Sequence, residues 1–336
     1  MQPRVYHRID SGKIPGSLRA IILERNKLVG RRIARIFACA GLAASCIEDP
    51  AELEGALAPG DGATVLCADA FDGDLVRTAL RERRDLRAAL WTAEPLDRLL
   101  RHVVDEPRIS NVFGRTAFDV APRDWELALV ARRLSQTAVR GDDRSVPPFS
   151  AYLSWGHSGF KHSVAGSDER DAAVGHVQRY IDKLGLPRRV GEMFGELAHE
   201  LLMNALYDAP VDRDGRPRHA HDRKARVSLA PEEAASLRIG CDGVHLAIQV
   251  SDPFGRLERR HVFSGLARGL RGEIDRAGGG AGLGMTVCMS STVAMVFDVI
   301  PGHKTEVTGI FDLDLNLREF RNQAKSLHFF GAPGNA

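Results

Sequence analysis

Hydrophobic residues in the first half of the chain fall into short runs, separated by longer segments in which apolar positions recur with helical spacing. Short apolar runs predict buried strands, and the segments between them predict helices that pack on a sheet. The predicted strands are Arg19–Leu23, Ala44–Ile47, Ala63–Ala68, Ala88–Thr92 and Ile109–Phe113, and a last helix covers 122–136. This alternation indicates a flavodoxin-like, doubly wound parallel sheet, whose ligand crevice lies at the carboxyl ends of the strands.

The second half has a different pattern. It predicts a short hairpin over 152–164, a helix over 169–184, and a second helix that begins after Pro187 and carries apolar residues at helical spacing. An apolar strand follows from Ala247 and ends at Asp252, and a glycine-rich stretch covers 278–284. The whole chain is therefore expected to be an α/β protein of two domains.

Composition changes between these segments give the expected boundaries. Residues 1–17 form an N-terminal extension, 18–138 the first domain, 139–151 an exposed connector rich in Gly, Pro and charge, and 152–318 the second domain. Residues 319–336 form a C-terminal tail that is expected to fray, although the apolar stretch Leu327–Phe330 is able to dock on a domain.

Amino-acid composition limits the classes of function that are expected but does not identify one. The 336 residues, 44% of them hydrophobic, suffice for two ordinary cores. A formal net charge of +2 gives no global reason to expect nucleic acid or an anionic membrane as a partner. Five cysteines without a C-x-x-C pair indicate reduced thiols in a cytoplasmic protein, and the longest uncharged apolar stretch, 36–47, is too short to span a bilayer.

Three segments carry candidate chemistry. The second helix places Glu200, Asn204 and Asp208 four residues apart, on one face, where a carboxylate and an amide oxygen suit Mg²⁺ shared with phosphates. Asp252 at a strand end is placed to accept a hydrogen bond from an exocyclic amine such as that of adenine. The glycines of 278–284 leave backbone N–H groups free to surround phosphate oxygens at a helix start.

In this order the three segments resemble the N, G1 and G2 boxes of the GHKL family of ATPases and kinases. The resemblance covers about 155–317 and implies an α/β sandwich with a mixed sheet that binds ATP and Mg²⁺. It implies Glu200 as general base and Asn204 as the Mg²⁺ ligand, with Asp252 on the adenine amine and Thr305 assisting it. The implied phosphate lid is Gly280, Gly282 and Gly284, and further candidate cofactor-binding residues are Asp208, Gly255, Leu283 and Met285.

Two departures from the family pattern affect the nucleotide pocket. Gly255 stands three residues after Asp252, where the family pattern has glycines two and four residues after the aspartate. Asp208 stands where related serine kinases often have a histidine, and a carboxylate there repels triphosphate unless a metal or an arginine intervenes. The charged stretch 211–224 follows directly, and its arginines are candidates for touching phosphates or a partner, although a solvated loop is the commoner outcome for such a stretch.

The first domain bears a weaker resemblance to response-regulator receiver domains. Asp69 ends the third strand and matches the phospho-acceptor, and Thr92 matches the switch threonine. Glu24 and Arg25 stand where a receiver has two acids, and Arg115 stands where it has a lysine. A receiver fold that serves only for protein docking is the alternative.

Two other interpretations compete with an ATP pocket formed by these boxes. His199 followed by Glu200 and Leu201 matches a phospho-acceptor helix superficially, but no separate N box then remains before Asp252. The room over 152–187 is also too short for a histidine-kinase dimerisation segment. A glycine cluster by itself is a weak signal, and a flexible surface loop explains it equally well.

The resemblance implies a signalling regulator, with anti-sigma-factor and partner-switching serine kinases as the nearest relatives in layout. The first hypothesis is a serine/threonine protein kinase that acts on a regulatory protein partner. The alternative is a non-catalytic, nucleotide-dependent or nucleotide-free interaction switch in a two-component-like pathway. A homodimer is possible under either hypothesis, since nothing in the sequence decides the oligomeric state.

Overall fold

The computed structural model describes residues 18–58, 63–115, 121–140, 146–271 and 281–331. Its N-terminal unit alternates strands and helices. These are β1 Arg19–Leu23, α1 Lys27–Cys39, β2 Ala43–Ile47, α2 Leu53–Ala56, β3 Thr64–Asp69, α3 Gly73–Glu82, β4 Leu86–Thr92, α4 Leu96–Val103, β5 Ile109–Gly114 and α5 Asp124–Arg140.

The five strands of the N-terminal unit are parallel and lie in the order β2-β1-β3-β4-β5. This is the order of flavodoxin-type doubly wound sheets. All five predicted strands are confirmed within two residues at each end, because buried parallel strands leave continuous apolar runs in the sequence. Asn26 begins α1 by accepting the backbone N–H groups of Leu28 and Val29, a typical N-cap.

The C-terminal unit is mixed. Its elements are β6 Ser158–Val164, α6 Ser167–Lys183, α7 Arg188–Met203, β7 Ala235–Cys241, β8 His245–Asp252, α8 Arg259–Leu270, α9 Ala281–Ser290, β9 Ala294–Ile300, β10 Lys304–Asp312, α10 Leu317–Asn322 and β11 Ser326–Phe330. The predicted hairpin over 152–164 is wrong. A 3₁₀ turn at Phe149–Tyr152 precedes a single strand, β6, which pairs with β7 instead of with a neighbour in sequence.

One mixed sheet of eleven strands runs through both units, in the order β2-β1-β3-β4-β5-β11-β9-β10-β8-β7-β6. The last strand, β11, joins them, since it pairs antiparallel with β5 and parallel with β9. All five of its residues are buried. Leu327–Phe330 therefore docks as an inner strand and does not fray, and residues 332–336 lie outside the described residues. The domain boundaries given above stay a prediction.

The two faces of this sheet are covered differently in the C-terminal unit. Phe311 on β10 packs edge-on against Phe194 of α7, with ring centroids 6.1 Å apart, so alternate β10 residues, including Thr305, face α7. Asp298 on β9 faces the other way, where Arg133 of α5 lies 2.6 Å from it and the Tyr152 hydroxyl donates to it at 3.0 Å. Both charged side chains are almost fully buried. The α7 face is therefore left for the candidate site.

Candidate functional site

Helix α7 carries the predicted acid and amide, and it ends in an irregular turn. After Met203 the backbone continues as a π-helical turn over Asn204–Asp208, closed by the Ala209 N–H donating to the Asn204 carbonyl at 2.9 Å. Regular α-helical spacing was expected to place Glu200, Asn204 and Asp208 on one face, and the extra residue of the turn alters that spacing. The turn packs on β8. Turns of this kind are frequent at functional sites.

Asp208 is paired with an arginine from the charged loop. Arg223 forms a close ion pair with its carboxylate, and both side chains are partly buried. Burial raises the pKa of Asp208, the ion pair with Arg223 opposes this, and the nearby charge of Glu200 raises it further. Asp208 and Glu200 are thus close enough to interact. An arginine, one of the two groups expected to offset the charge of Asp208, is therefore present beside it.

Asp252 and Thr305 form a buried polar pair. They lie directly opposite each other where β8 ends and β10 begins, and only 8% and 3% of their surfaces are exposed. One carboxylate oxygen, Oδ1, accepts the backbone N–H groups of Phe254 at 2.9 Å and Gly255 at 3.4 Å. Burial raises the pKa of Asp252 to about 6, although these hydrogen bonds and the nearby Thr305 hydroxyl lower it.

The Thr305 hydroxyl oxygen is buried and has no hydrogen-bond partner of standard geometry among the described residues. Burying a polar group without a partner costs about 1–3 kcal/mol. A poorly hydrogen-bonded hydroxyl beside a carboxylate with a raised pKa marks a place where a polar ligand, such as an amine or a bridging water, improves hydrogen bonding. The adenine role of the pair stays a prediction.

Gly255 is required by the turn that follows Asp252. Its φ of +62° lies in the left-handed region, and a Cβ there would stand 2.1 Å from the Ile300 carbonyl oxygen. The turn is thus pressed against the β9–β10 connection, whose Gly302 N–H donates to the Gly255 carbonyl at 3.2 Å. The turn after Asp252 is thus shaped by one glycine, Gly255, and is held by its contact with the β9–β10 connection.

The charged loop 211–224 lies over the same turn. The Arg218 guanidinium stands 5.8 Å from the centre of the Phe254 ring, and Arg256 donates to the Gly215 carbonyl. Arg218 is also paired with Glu233 at 2.9 Å. Most residues of the loop are exposed and none is buried, as expected for such a composition, but these contacts place part of it on the Asp252 turn.

Helix α9 brings the glycine segment onto Glu200. A Cβ added at Gly284 would stand 2.2 Å from Glu200 Oε2, so the absence of a side chain lets the two helices approach at the carboxylate. Gly282 and Leu283 lie in the first turn of α9, Met285 is buried in the core, and Gly280 lies outside the described residues. The predicted acid and part of the predicted glycine segment therefore meet.

A groove of about 370 Å³ opens beside Glu200, between α6, α7 and α9. Its walls include Gln178, Glu196, His199 and Val287. Of the predicted site residues that the structure describes, Glu200 alone lines it. His199 thus borders a groove on the helix surface, which agrees with its being a partly buried surface histidine.

The predicted phospho-acceptor of the N-terminal unit has a charged partner. Asp69 Oδ2 lies 3.1 Å from Arg115 Nη2, and its Oδ1 accepts the Phe71 N–H. Arg25 makes a two-pronged ion pair with Asp72 at 2.7 and 2.8 Å, and burial raises the pKa of Glu24. Arginine thus neutralises Asp69 where a receiver domain has lysine. No three His, Cys, Asp or Glu side chains cluster as a metal site in the described ranges.

Several contacts of the site were not predicted from the sequence. Arg223 as the partner of Asp208, the stacking of Arg218 on Phe254 and the contact of Gly284 with Glu200 all join residues far apart in the chain. The density of arginine in 211–224 was the one signal in the sequence that pointed to this loop.

Comparisons with known proteins give little further information. No protein-family profile matches the chain, and no curated protein matches its sequence. Among solved structures, it is similar to a protein in the crystal structure of the SiaB-SiaC complex from Pseudomonas aeruginosa, at 13% identity and a TM-score of 0.31. The similarity spans 45% of this chain and 88% of that chain. At this level it supports no functional inference. Within the described ranges, the helices are too short or too polar to cross a bilayer.

Proposed function

We propose that this protein binds Mg-ATP between α7, α9 and the end of β8, and acts as a serine/threonine protein kinase on a regulatory partner protein. The observation that carries the proposal is the buried pair of Asp252 and Thr305, which presents a carboxylate with a raised pKa next to a hydroxyl whose hydrogen bonding falls short of standard geometry. A pair of this kind suits a ligand that donates N–H groups, as the adenine amine does.

The other residues have roles that follow from their chemistry. The Asn204 side-chain oxygen is a hard ligand of the type that Mg²⁺ takes together with phosphates and waters. The N-terminal turn of α9 offers backbone N–H groups and a positive helix end to phosphate oxygens. When bound, Mg-ATP supplies a phosphoryl group; the Glu200 carboxylate orients a hydroxyl of the partner and accepts its proton.

The test is Glu200→Ala compared with Glu196→Ala, one helical turn earlier on the same groove. Glu200→Ala is expected to lower phosphate transfer to a captured partner by about 10²–10⁴-fold while calorimetry still shows Mg-ATP binding. Glu196→Ala is expected to retain both. Equal transfer by wild type and Glu200→Ala contradicts the kinase role, and absence of Mg-ATP binding in the wild type contradicts the whole proposal.

A second function is favoured by one contact. The Glu200 carboxylate lies against Gly284, so the surroundings of Glu200 depend on the position of α9. A nucleotide-dependent switch needs no phosphate transfer, since ligand binding only has to change the position of α9. In that case a pull-down of the partner responds to nucleotide in the same way for wild type and Glu200→Ala, and no phosphate is transferred.

The remaining expectations are part of the same proposal. The N-terminal unit serves as a receiver-like input or docking module, with Asp69 as its candidate phospho-acceptor. The Arg115 pair at Asp69 fits a docking role better than metal-dependent phosphorylation, because a guanidinium already occupies one carboxylate oxygen. A cytoplasmic location and a homodimer are compatible with this function.

A further inference from the structure

One arginine of the C-terminal unit, Arg259, binds the N-terminal unit. Arg259 is the first residue of α8, and its Nη2 contacts three backbone carbonyl oxygens of the N-terminal unit. These are Val103 at the end of α4, Glu106 at 3.0 Å and Ile109 at 2.6 Å, where β5 begins. The guanidinium also lies over the Phe263 ring, 4.1 Å from its centre.

The chemistry of this contact makes it hard to replace. The last carbonyls of a helix lack partners within the helix, and the C-terminal end carries a partial negative charge, so a cation at the end of α4 satisfies both. Burial lowers the pKa of Arg259 to about 10, which leaves the side chain charged at neutral pH. Loss of the side chain removes a charged donor shared by three carbonyl groups.

A continuous series of contacts leads from Arg259 to Glu200. Helix α8 packs along α9, and α9 packs on α7. At the second of these contacts Gly284 of α9 meets the Glu200 carboxylate. Because packed helices move as rigid bodies between discrete arrangements, a shift of α8 at Arg259 moves α9 relative to α7.

We propose that Arg259 is a positioning residue for nucleotide binding, which fixes the α8–α9 pair to the α4–β5 segment and so lets the N-terminal unit set the affinity for Mg-ATP. The proposal rests on the proposed function above. It gives the N-terminal unit a physical route to the site through its own α4–β5 segment.

The test compares Arg259→Gln with two control variants by calorimetry with Mg-ATP and by thermal unfolding. Arg259→Gln is expected to weaken Mg-ATP binding at least fivefold, within the range usual for coupled sites. Arg260→Gln removes the neighbouring, exposed cation, and Tyr152→Phe removes a hydroxyl that donates to Asp298, the carboxylate paired with Arg133 of the N-terminal unit. Both controls are expected to bind Mg-ATP within twofold of wild type, whatever happens to their melting temperatures.

The outcomes separate the two proposals. A wild type that does not bind Mg-ATP overturns the proposed function and this inference with it. A wild type that binds, with Arg259→Gln binding less than fivefold weaker or more tightly, overturns this inference alone. If all three variants lose affinity in proportion to their melting temperatures, Arg259 has only a structural role and the inference is wrong.

A measurement on the wild type covers the case in which Arg259→Gln does not fold. Coupling between two sites is reciprocal, so Mg-ATP must change the N-terminal unit if that unit sets its affinity. Saturating Mg-ATP is expected to slow amide hydrogen exchange in residues 103–109 at least twofold relative to protein without nucleotide. Unchanged exchange in 103–109, together with slowed exchange in α9, overturns the inference.

Discussion

At the scale of single residues, Asp252 lowers the stability of the free protein and is the residue we propose to bind the nucleotide base. Its carboxylate is buried at the end of β8, next to a threonine hydroxyl that makes no hydrogen bond of standard geometry in the part of the chain described. Residues that serve a ligand are often less favourable in the free protein than an apolar or neutral substitute. Asp252 has the features of such a residue, and its titration gives a direct way to measure the cost.

The pKa of Asp252 is raised to about 6, from 3.8, so between these values the folded chain holds a proton that the unfolded chain has lost. The contribution of Asp252 to the free energy of unfolding is therefore greatest below pH 4 and is lost as the pH rises through 6. We expect Asp252→Asn to raise the free energy of unfolding at pH 7 by on the order of 2–3 kcal/mol, and by much less at pH 4. Urea denaturation at the two pH values measures this difference. An Asn variant that is less stable than wild type at pH 7 contradicts the burial argument.

Gly284 and Gly255 differ in what a methyl group would meet. At Gly284 the nearest atom is the end of the flexible Glu200 side chain, which can move aside, whereas at Gly255 it is backbone and φ is positive. We expect Gly284→Ala to cost less than about 1 kcal/mol of stability and yet disturb Glu200, and Gly255→Ala to destabilise by several times as much. Thermal unfolding and phosphate transfer separate the two. A large loss of stability in Gly284→Ala would show that the added methyl group is not accommodated by movement of the Glu200 side chain.

At the scale of elements, the loop 211–224 acts as a cover for the Asp252 turn and as a source of neutralising charge for Asp208. Sequence composition predicted a charged segment but not its position, because the contacts of Arg218 and Arg223 depend on how the loop folds back. The π turn over Asn204–Asp208 was missed for a similar reason. The apolar residues of α7 keep α-helical spacing up to Met203. The wider π turn that follows leaves no signal in the amino-acid composition.

We expect Arg223→Ala to weaken Mg-ATP binding by about tenfold, because it leaves the Asp208 carboxylate uncompensated near the phosphates. The double variant Asp208→Asn with Arg223→Ala removes the repelling charge as well and is expected to recover most of the affinity. Calorimetry on the two variants and on Asp208→Asn alone gives the coupling between the residues. If the two substitutions have additive effects on Mg-ATP affinity, the ion pair between Asp208 and Arg223 does not influence nucleotide binding.

Strand β11 shows where sequence reasoning succeeded and where it stopped. The apolar stretch Leu327–Phe330 was recognised as able to dock, and the five strands of the N-terminal unit were placed closely, because short apolar runs report burial directly. The partners of β11 could not be predicted, since its β5 partners lie more than 200 positions earlier in the chain and its β9 partners about 30 positions earlier. Pairing of this kind depends on the whole fold.

At the scale of the whole molecule, the two units share one sheet and a buried polar contact region. Arg133 of α5 lies 2.6 Å from Asp298 of β9, and the His328 ring of β11 lies 3.0 Å from Glu126 of α5, all four almost fully buried. Removing one partner of a buried ion pair strands the other charge. The units are therefore expected to unfold together.

We expect Asp298→Ala to lower the free energy of unfolding by about 3–5 kcal/mol. Tyr152→Phe, which removes one neutral donor to the same carboxylate, is expected to cost about 1 kcal/mol. Calorimetric unfolding of the wild type is expected to show one transition that shifts as a whole in each variant. Two separate transitions, only one of which moves, would contradict the view that β11 couples the units.

The central claim is that Asp252 and Thr305, together with α7 and α9, hold Mg-ATP. Its most direct test is calorimetric titration of Mg-ATP into the full chain, which retains β11, and into Asp252→Asn. We predict one nucleotide bound per chain, Mg²⁺-dependent, with affinity reduced at least tenfold in Asp252→Asn although that variant is folded. No binding by the wild type, or equal binding by the two proteins, would contradict the claim.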